Sequence, residues 1–165
     1  AYTAILCDEL ETAKQVFKGI DSPRAKWGKA LTDIISGYIE NYPSYFEIRN
    51  FLEIDLEFLI KNEKIDYVEM VLGSLDLLAD INQEVYKYAA RVMFENKFYK
   101  SAEKYLQKSV DVFYNDPEIH FMYARFYLNT GNFKKADFHL TKCSEILPDY
   151  FPAKILKKEI AKHLD

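Results

Sequence analysis

The stretch YARFYLNTGNFKKADFHLTKCSEILPDY, residues 123–150, decides the fold of this chain. Apolar residues recur at three- and four-residue steps before the Asn-Thr-Gly-Asn sequence and again after it, which predicts two helices joined by a short turn. Gly131 is expected to supply the left-handed backbone that ends the first helix. The small residues Ala124, Ala136 and Cys143 stand where a core usually carries bulk, which indicates that the two helices cross closely.

Composition narrows the class of protein. The chain has 165 residues, 49% of them hydrophobic, with five Gly and five Pro, which is too few for a turn-rich all-β protein or a disordered chain. The net charge is −4, so no overall basic field attracts nucleic acid. No apolar run approaches the roughly 18–20 residues of a membrane span. We therefore expect a protein without a nucleic-acid partner or a membrane span.

Similar breaks divide the whole chain into helices, and no convincing run alternates with the period of two that a strand requires. Pro23, Pro43, Pro117 and Pro152 each follow or accompany a residue that can cap a helix N-terminus. Connections of two to four residues make neighbouring helices antiparallel. We predict helices near residues 1–6, 9–20, 23–40, 44–61, 65–79, 82–95, 98–114, 117–129, 132–146 and 151–163.

The helical pattern repeats with a period of 34 residues. Shifted by this period, Ala90 falls on Ala124 and Ala102 falls on Ala136, and bulky residues likewise fall on bulky ones. One period earlier, residues 49–82 keep the apolar pattern but lose the small residues. A single hairpin of this length cannot bury enough surface to stand alone, so the repeats are expected to stack and share a core.

This pattern resembles the tetratricopeptide repeat, clearly over residues 83–150 and more weakly elsewhere. The resemblance implies an all-α fold, an α-solenoid of antiparallel helix hairpins in a right-handed superhelix with a C-terminal capping helix. Its structural signature positions are Ala90, Ala102, Ala124, Tyr127, Gly131, Ala136, Cys143 and Pro148. Lys97 and Tyr114 stand where residues 83–116 would carry the family's Gly and Pro, and Leu56 and Val68 replace small residues in 49–82.

We assign residues 1–165 to one helical-repeat domain. Its parts are a partial repeat at 1–21, an irregular helical region at 22–48, repeats at 49–82, 83–116 and 117–150, and a cap at 151–165. The cap carries a narrow apolar stripe with Lys on its other faces, which is typical of a solubilising end of a solenoid. The stripe consists of Ile155, Leu156, Ile160 and Leu164.

In proteins similar to this one, the first helix of each hairpin lines a concave groove that receives a peptide or a partner helix. Carried onto this sequence, the resemblance implies a groove formed by Glu53, Glu57, Lys87, Arg91, Phe94, Phe121, Arg125, Leu128 and Asn129. This mixture of acidic, basic and aromatic residues favours an amphipathic helix or an extended segment as the occupant.

No motif predicts catalysis. The three histidines are scattered without the spacing of metal ligands, so we expect them to pack or to face solvent, and we expect no catalytic residue, metal or other cofactor. Carboxylates are dense over residues 40–80, but Glu53, Asp55 and Glu57 lie on more than one helix face, which indicates a solvated surface rather than an acid–base pair. Two distant cysteines, Cys7 and Cys143, favour a reducing compartment and a cytoplasmic location.

Three functional hypotheses follow. The first is a non-catalytic scaffold or interaction module with a protein or peptide partner. The second is an accessory or regulatory domain of a larger enzyme such as a transferase, because the chain begins in the middle of a helical pattern and is expected to be a fragment or processed form. The third is a homo-oligomer that buries exposed Tyr and Phe against another copy.

Overall fold

A computed structural model describes residues 1–163, and the predicted Leu164 of the terminal apolar stripe lies outside the described residues. The prediction of an all-α chain is confirmed, because the described residues contain eleven α-helices, one 3₁₀ turn and no strand. The helices are α1 Tyr2–Leu6, α2 Leu10–Lys18, α3 Pro23–Ile35, α4 Tyr45–Lys61, α5 Ile65–Gly73, α6 Leu75–Ala79, α7 Val85–Glu95, α8 Tyr99–Val112, α9 Pro117–Asn129, α10 Phe133–Ile146 and α11 Phe151–Ile160.

Side-chain caps fix where several helices begin. Ser22 accepts a hydrogen bond from the amide of Ala25 at the start of α3. Ser44 and Glu47 form a reciprocal capping box at the start of α4. Asp116 accepts from the amide of Glu118 at 2.8 Å at the start of α9. These caps satisfy amides that have no partner within the helix, so the predicted starting points are tightly set.

One turn geometry ends α1, α3, α4, α7 and α9, and after the last three helices it recurs at a fixed spacing. The backbone angle φ is 58° at Glu63, 66° at Lys97 and 74° at Gly131, and these residues lie 34 positions apart. After each of them, the next amide donates to the carbonyl five residues earlier, at N···O distances of 2.8–3.0 Å. This is the Schellman arrangement that ends a helix with a left-handed residue. The left-handed backbone predicted at Gly131 is confirmed, and Lys97 adopts it without being a glycine.

The helices on both sides of these turns keep the same 34-residue spacing. The preceding helices end at Lys61, Glu95 and Asn129, and the following helices begin at Ile65, Tyr99 and Phe133. One period before Glu63, position 29 lies inside α3 rather than in a turn. The register therefore starts within α4 and does not extend into residues 22–48, which were predicted to be irregular.

Two predicted helices differ from the structure. The helix predicted at 23–40 ends at Ile35, because Gly37 is left-handed with φ of 78° and the buried carboxylate of Asp33 accepts the amides of Glu40 and Asn41. The helix predicted at 65–79 is divided at Ser74, whose hydroxyl donates to the carbonyl of Val71 at 2.8 Å. Such a side-chain bond competes with the helical hydrogen bonds of the backbone.

The chain divides into two compact units, unit 1 at Ala1–Val92 and unit 2 at Met93–Asp165, and each is described by itself. The single domain assigned to residues 1–165 stays a prediction. In unit 1, α2 packs on α3, and the ring of Phe17 lies within 2.4 Å of the point that a Cβ on Gly28 would occupy. Gly28 is therefore the residue that lets the two helices approach.

Unit 2 is built around the predicted small residues. Ala102, Ala124, Ala136 and Cys143 are each 0% exposed. Ala124 of α9 shares one apolar cluster with Ala136, Leu140 and Cys143 of α10 and with two residues of α11, Ala153 and Ile160. Their burial agrees with the close crossing of α9 and α10 that the sequence predicts.

The outer side of α11 differs from the prediction. Ile160 is buried and Leu156 is half-buried, but Ile155 is 46% exposed, and Phe151 at the start of the helix is 69% exposed. Of the predicted apolar stripe, Ile155 therefore does not pack into the core with Ile160. Ile155 and Phe151 give this helix a second apolar side that faces solvent.

Candidate partner-binding surfaces

In unit 1, two predicted groove residues meet each other. Glu53 on α4 accepts a hydrogen bond from Arg91 on α7 at 2.8 Å, and about a third of each side chain is exposed. The two residues are 38 positions apart in the sequence, so the contact joins two separate helices. The contact therefore ties α4 to α7 through the residues that were assigned to the groove.

Two other predicted groove residues of unit 1 have local partners. Lys87 is 7% exposed, and its ammonium donates to Glu84 at 2.8 Å. Burial raises the pKa of Glu84, but hydrogen bonds from Lys87 and Tyr88 outweigh it, so this pKa lies below its ordinary value. Glu57 is solvated and pairs with Lys61 one turn away at 2.7 Å.

In unit 2, predicted groove residues form a mixed aromatic and charged surface. Arg125 on α9 donates to Glu95 on α7 at 2.7 Å, and its guanidinium lies 5.0 Å from the ring centroid of Phe94. The side chains of Arg125 and Glu95 are 38% and 51% exposed. An exposed ion pair of this kind contributes little to stability. Breaking the pair so that Arg125 or Glu95 can bind a ligand instead therefore costs little free energy. We call Phe94, Glu95 and Arg125 the inner-face triad.

The remaining predicted groove residues lie on α9. Phe121 is half-buried against the apolar cluster and meets the ring of Tyr150 edge-on, with 5.4 Å between centroids. Leu128 is also half-buried against this cluster, whereas Asn129 is exposed at the end of the helix. Phe121 and Leu128 therefore contribute to the packing of unit 2 as well as to its surface.

The interpretation of the carboxylates around residue 55 as a solvated surface is wrong for Asp55. This side chain is 1% exposed and accepts hydrogen bonds from Tyr2 at 2.8 Å, from Trp27 at 2.7 Å and from Arg24. The guanidinium of Arg24 also lies over the ring of Tyr2, 4.5 Å from its centroid. Burial, followed by the charge and hydrogen bond of Asp55, raises the pKa of Tyr2 far above its ordinary range. The carboxylate of Asp55 accepts hydrogen bonds from three side chains, which indicates a structural role.

Two histidines that appear scattered in the sequence lie together in unit 2. Nδ1 of His120 is 3.1 Å from Nδ1 of His139, and Nε2 of His120 is 2.8 Å from the carbonyl oxygen of Tyr114. A carbonyl can only accept, so Nε2 of His120 carries the hydrogen and its Nδ1 accepts from Nδ1–H of His139. The ring of Tyr123 stacks on His139 with 4.6 Å between centroids.

This hydrogen bond requires Nδ1 of His120 to be unprotonated, because a proton there would face the N–H of His139. Burial, the neighbouring His120 and Lys135 lower the pKa of His139 to about 4. The histidines were expected to pack or to face solvent, and the structure places this pair among aromatic rings. Within residues 1–163 no three His, Cys, Asp or Glu side chains are grouped so as to hold a metal ion.

Comparisons with protein-family models, curated proteins and solved structures found no match to this chain. Among the described helices, none is long and apolar enough to cross a membrane.

Proposed function

We propose that this chain is a non-catalytic protein-interaction module or scaffold, built as a tetratricopeptide-like α-solenoid with a right-handed superhelical course. The observation that carries the proposal is the recurrence of one turn at Glu63, Lys97 and Gly131, with flanking helix ends in the same 34-residue register. Repeated helix hairpins bury little surface singly and gain stability by stacking, and stacked hairpins present extended binding faces.

Cross-helix contacts support the assignment of the first helices to a common inner face within each unit. Glu53 of α4 pairs with Arg91 of α7 in unit 1, and Glu95 of α7 pairs with Arg125 of α9 in unit 2. In each pair the partners come from the first helices of successive predicted repeats. These contacts are the ones expected if successive first helices lie side by side.

The inner-face triad is the surface that we assign to partner binding. Arg125 and Glu95 offer a donor and an acceptor, and Phe94 beside them offers an aromatic face. A peptide or helix with a carboxylate for Arg125 and an apolar side chain for Phe94 fits this combination. We place the module in a reducing compartment, since Cys143 is buried and Cys7 is exposed without a disulfide.

Affinity capture from an extract of the producing cells tests the proposal. We expect the wild type to retain one or a few proteins that the double variant Phe94→Ala, Arg125→Glu loses. Lys134→Glu is the matched control, because Lys134 is an exposed residue of α10 outside the inner-face triad. Circular dichroism must show all three proteins folded. Identical sets of retained proteins for wild type and double variant would contradict the assignment.

A further inference from the structure

The outer side of α11 forms an open depression of about 490 Å³ together with Ser144 of α10. We define the α11 face as the residues of α11 and the turn after it that line this depression, Phe151, Lys154, Ile155, Lys157, Lys158 and Ala161. Phe151 is 69% exposed and Ile155 is 46% exposed, whereas Ala153 and Ile160 of the same helix are buried in the core of unit 2. The α11 face is thus a second apolar side, separate from the one that packs.

The register of α11 shows what kind of surface this is. α11 begins 34 residues after α9, so Ile155 falls on Phe121 and Lys158 falls on Ala124. On α9, Phe121 and Ala124 lie in the apolar cluster that α9 shares with α10. The ring of Tyr123, next to Ala124, stacks on His139 of α10. The α11 face therefore corresponds to the side of α9 that a following helix covers. In the described residues this side of α11 is open.

Three lysines give the α11 face a positive charge, which favours an acidic binding partner. Lys154 donates to the exposed Asp149 at 2.9 Å, and Lys157 donates to the hydroxyl of Thr141 at 3.0 Å. Lys158 is exposed and stands where α9 has the fully buried Ala124. A helix seated here meets an ammonium at the crossing point instead of a methyl group. It must bring a carboxylate to that point, and apolar side chains to Phe151 and Ile155.

We propose that the α11 face binds an acidic amphipathic helix of a partner protein, in the place that α10 takes on α9. The apolar residues supply burial, and the three lysines supply charge complementarity and orientation. The inference rests on the register and exposure of α11 and not on partner binding by the inner-face triad. A negative result for one of these two surfaces therefore leaves the proposal for the other unaffected.

A displayed library of helical peptides tests this inference on the full chain. The apolar face of each peptide is varied among Leu, Ile, Phe and Ala, and the flanking positions are varied between Glu and Lys. We expect selection to enrich Glu-flanked peptides. Their affinity is expected to fall at least about tenfold for the variant Phe151→Ser, Lys158→Glu, and to weaken as salt is raised.

The variant Arg125→Glu is the matched control, because it reverses a charge in the inner-face triad and leaves the α11 face unchanged. Selected peptides are expected to bind this variant as they bind the wild type. Enrichment of Lys-flanked peptides, an absence of charge preference, or equal affinity for the α11 variant would overturn the proposal. Light scattering that showed a dimer dissociated by Phe151→Ser would assign the face to a second copy of this chain and would overturn it as well.

Discussion

At the scale of single residues, the carboxylate of Asp55 fixes the point where three helices of unit 1 meet. It joins Tyr2 of α1 and both Arg24 and Trp27 of α3 to α4. Removing one member of a buried charged network leaves its partners without compensation, which costs more than the pair itself contributes. The network therefore acts on the arrangement of the helices and not on a ligand.

Replacement of Asp55 tests this role. We expect Asp55→Ala to lower the free energy of unfolding by about 3 kcal/mol, because Arg24 and the indole N–H of Trp27 both lose their acceptor. Urea denaturation followed by circular dichroism measures the change. Glu57→Ala on the same helix is the control, since Glu57 is 48% exposed, and it should change stability by less than about 0.5 kcal/mol. Equal effects of the two variants would show that Asp55 has no special role.

The pair of His120 and His139 makes a separate prediction about pH. The pKa of His139 is lowered to about 4, below the ordinary value of 6.5 that it regains on unfolding. Between these values the unfolded chain binds the extra proton, so stability is complete above pH 6.5 and is lost as the pH falls toward 4. The slope can reach about 1.4 kcal/mol per pH unit. His139→Phe should give a flatter dependence in this window, and parallel curves for variant and wild type would contradict the assignment.

These residue-scale features were only partly predictable. Asp55 lies on the same helical stripe as the buried Leu52 and Leu59, which signalled burial, but its partners Trp27 and Tyr2 are distant in sequence. No local pattern identifies such partners.

The histidine contact had a clearer signal. His120 lies one turn before Ala124, and His139 lies about one turn after Ala136. In an antiparallel hairpin that brings Ala124 next to Ala136, these two histidines are therefore also brought together. The contact between His120 and His139 could therefore be predicted from the hairpin, although it could not be predicted from the spacing of the histidines along the chain.

At the scale of elements, the small residues set how closely the helices of unit 2 pack. Ala136 on α10 is fully buried in the cluster that also contains Ala124 and Cys143. We expect Ala136→Leu to destabilise unit 2 by about 1–3 kcal/mol, because the added carbons cannot be accommodated without moving a helix. Thermal unfolding compared with Lys134→Leu, an exposed position on α10, measures it. An unchanged melting temperature for Ala136→Leu would contradict the close crossing.

The recurring turn makes a prediction about the backbone alone. Lys97 and Gly131 have nearly the same positive φ, and no atom lies within 4 Å of a Cβ added at Gly131. Only backbone strain therefore separates glycine from other residues there. We expect Gly131→Ala to cost about 1 kcal/mol and Lys97→Gly to stabilise by a smaller amount, since glycine also gains entropy in the unfolded chain. Chemical denaturation of both variants checks the opposite signs, and equal signs would refute this explanation.

At the scale of the whole molecule, the all-α class and the 34-residue register followed from sequence because periodicity and turn residues are local signals. In residues 49–82 the small residues are absent and Leu56 and Val68 are buried, yet Glu63 forms the same turn as Gly131. A glycine is therefore not needed to recognise the period. The early end of α3 at Ile35 had a local signal in Gly37, but the loop that folds over the buried carboxylate of Asp33 was not predictable.

The candidate surfaces were predictable to different degrees. The groove residues that the resemblance implied include two pairs that are in contact in the structure, Glu53 with Arg91 and Phe94 with Arg125. The α11 face was missed because an apolar residue in an amphipathic helix is assigned to the core by default. Its exposure depends on which neighbouring helix is present, and that information is not contained in the helix itself.

Site-specific photo-crosslinking is the measurement that tests the central claim, the inner face as an interface with another protein, most directly. A photoreactive phenylalanine analogue replaces Phe94 in one variant and Val112, a 39% exposed residue of α8, in the control. We expect the analogue at 94 to form a discrete adduct with another protein in extracts of the producing cells, and Arg125→Glu to abolish it. No adduct at 94, or the same adducts from positions 94 and 112, would contradict the account.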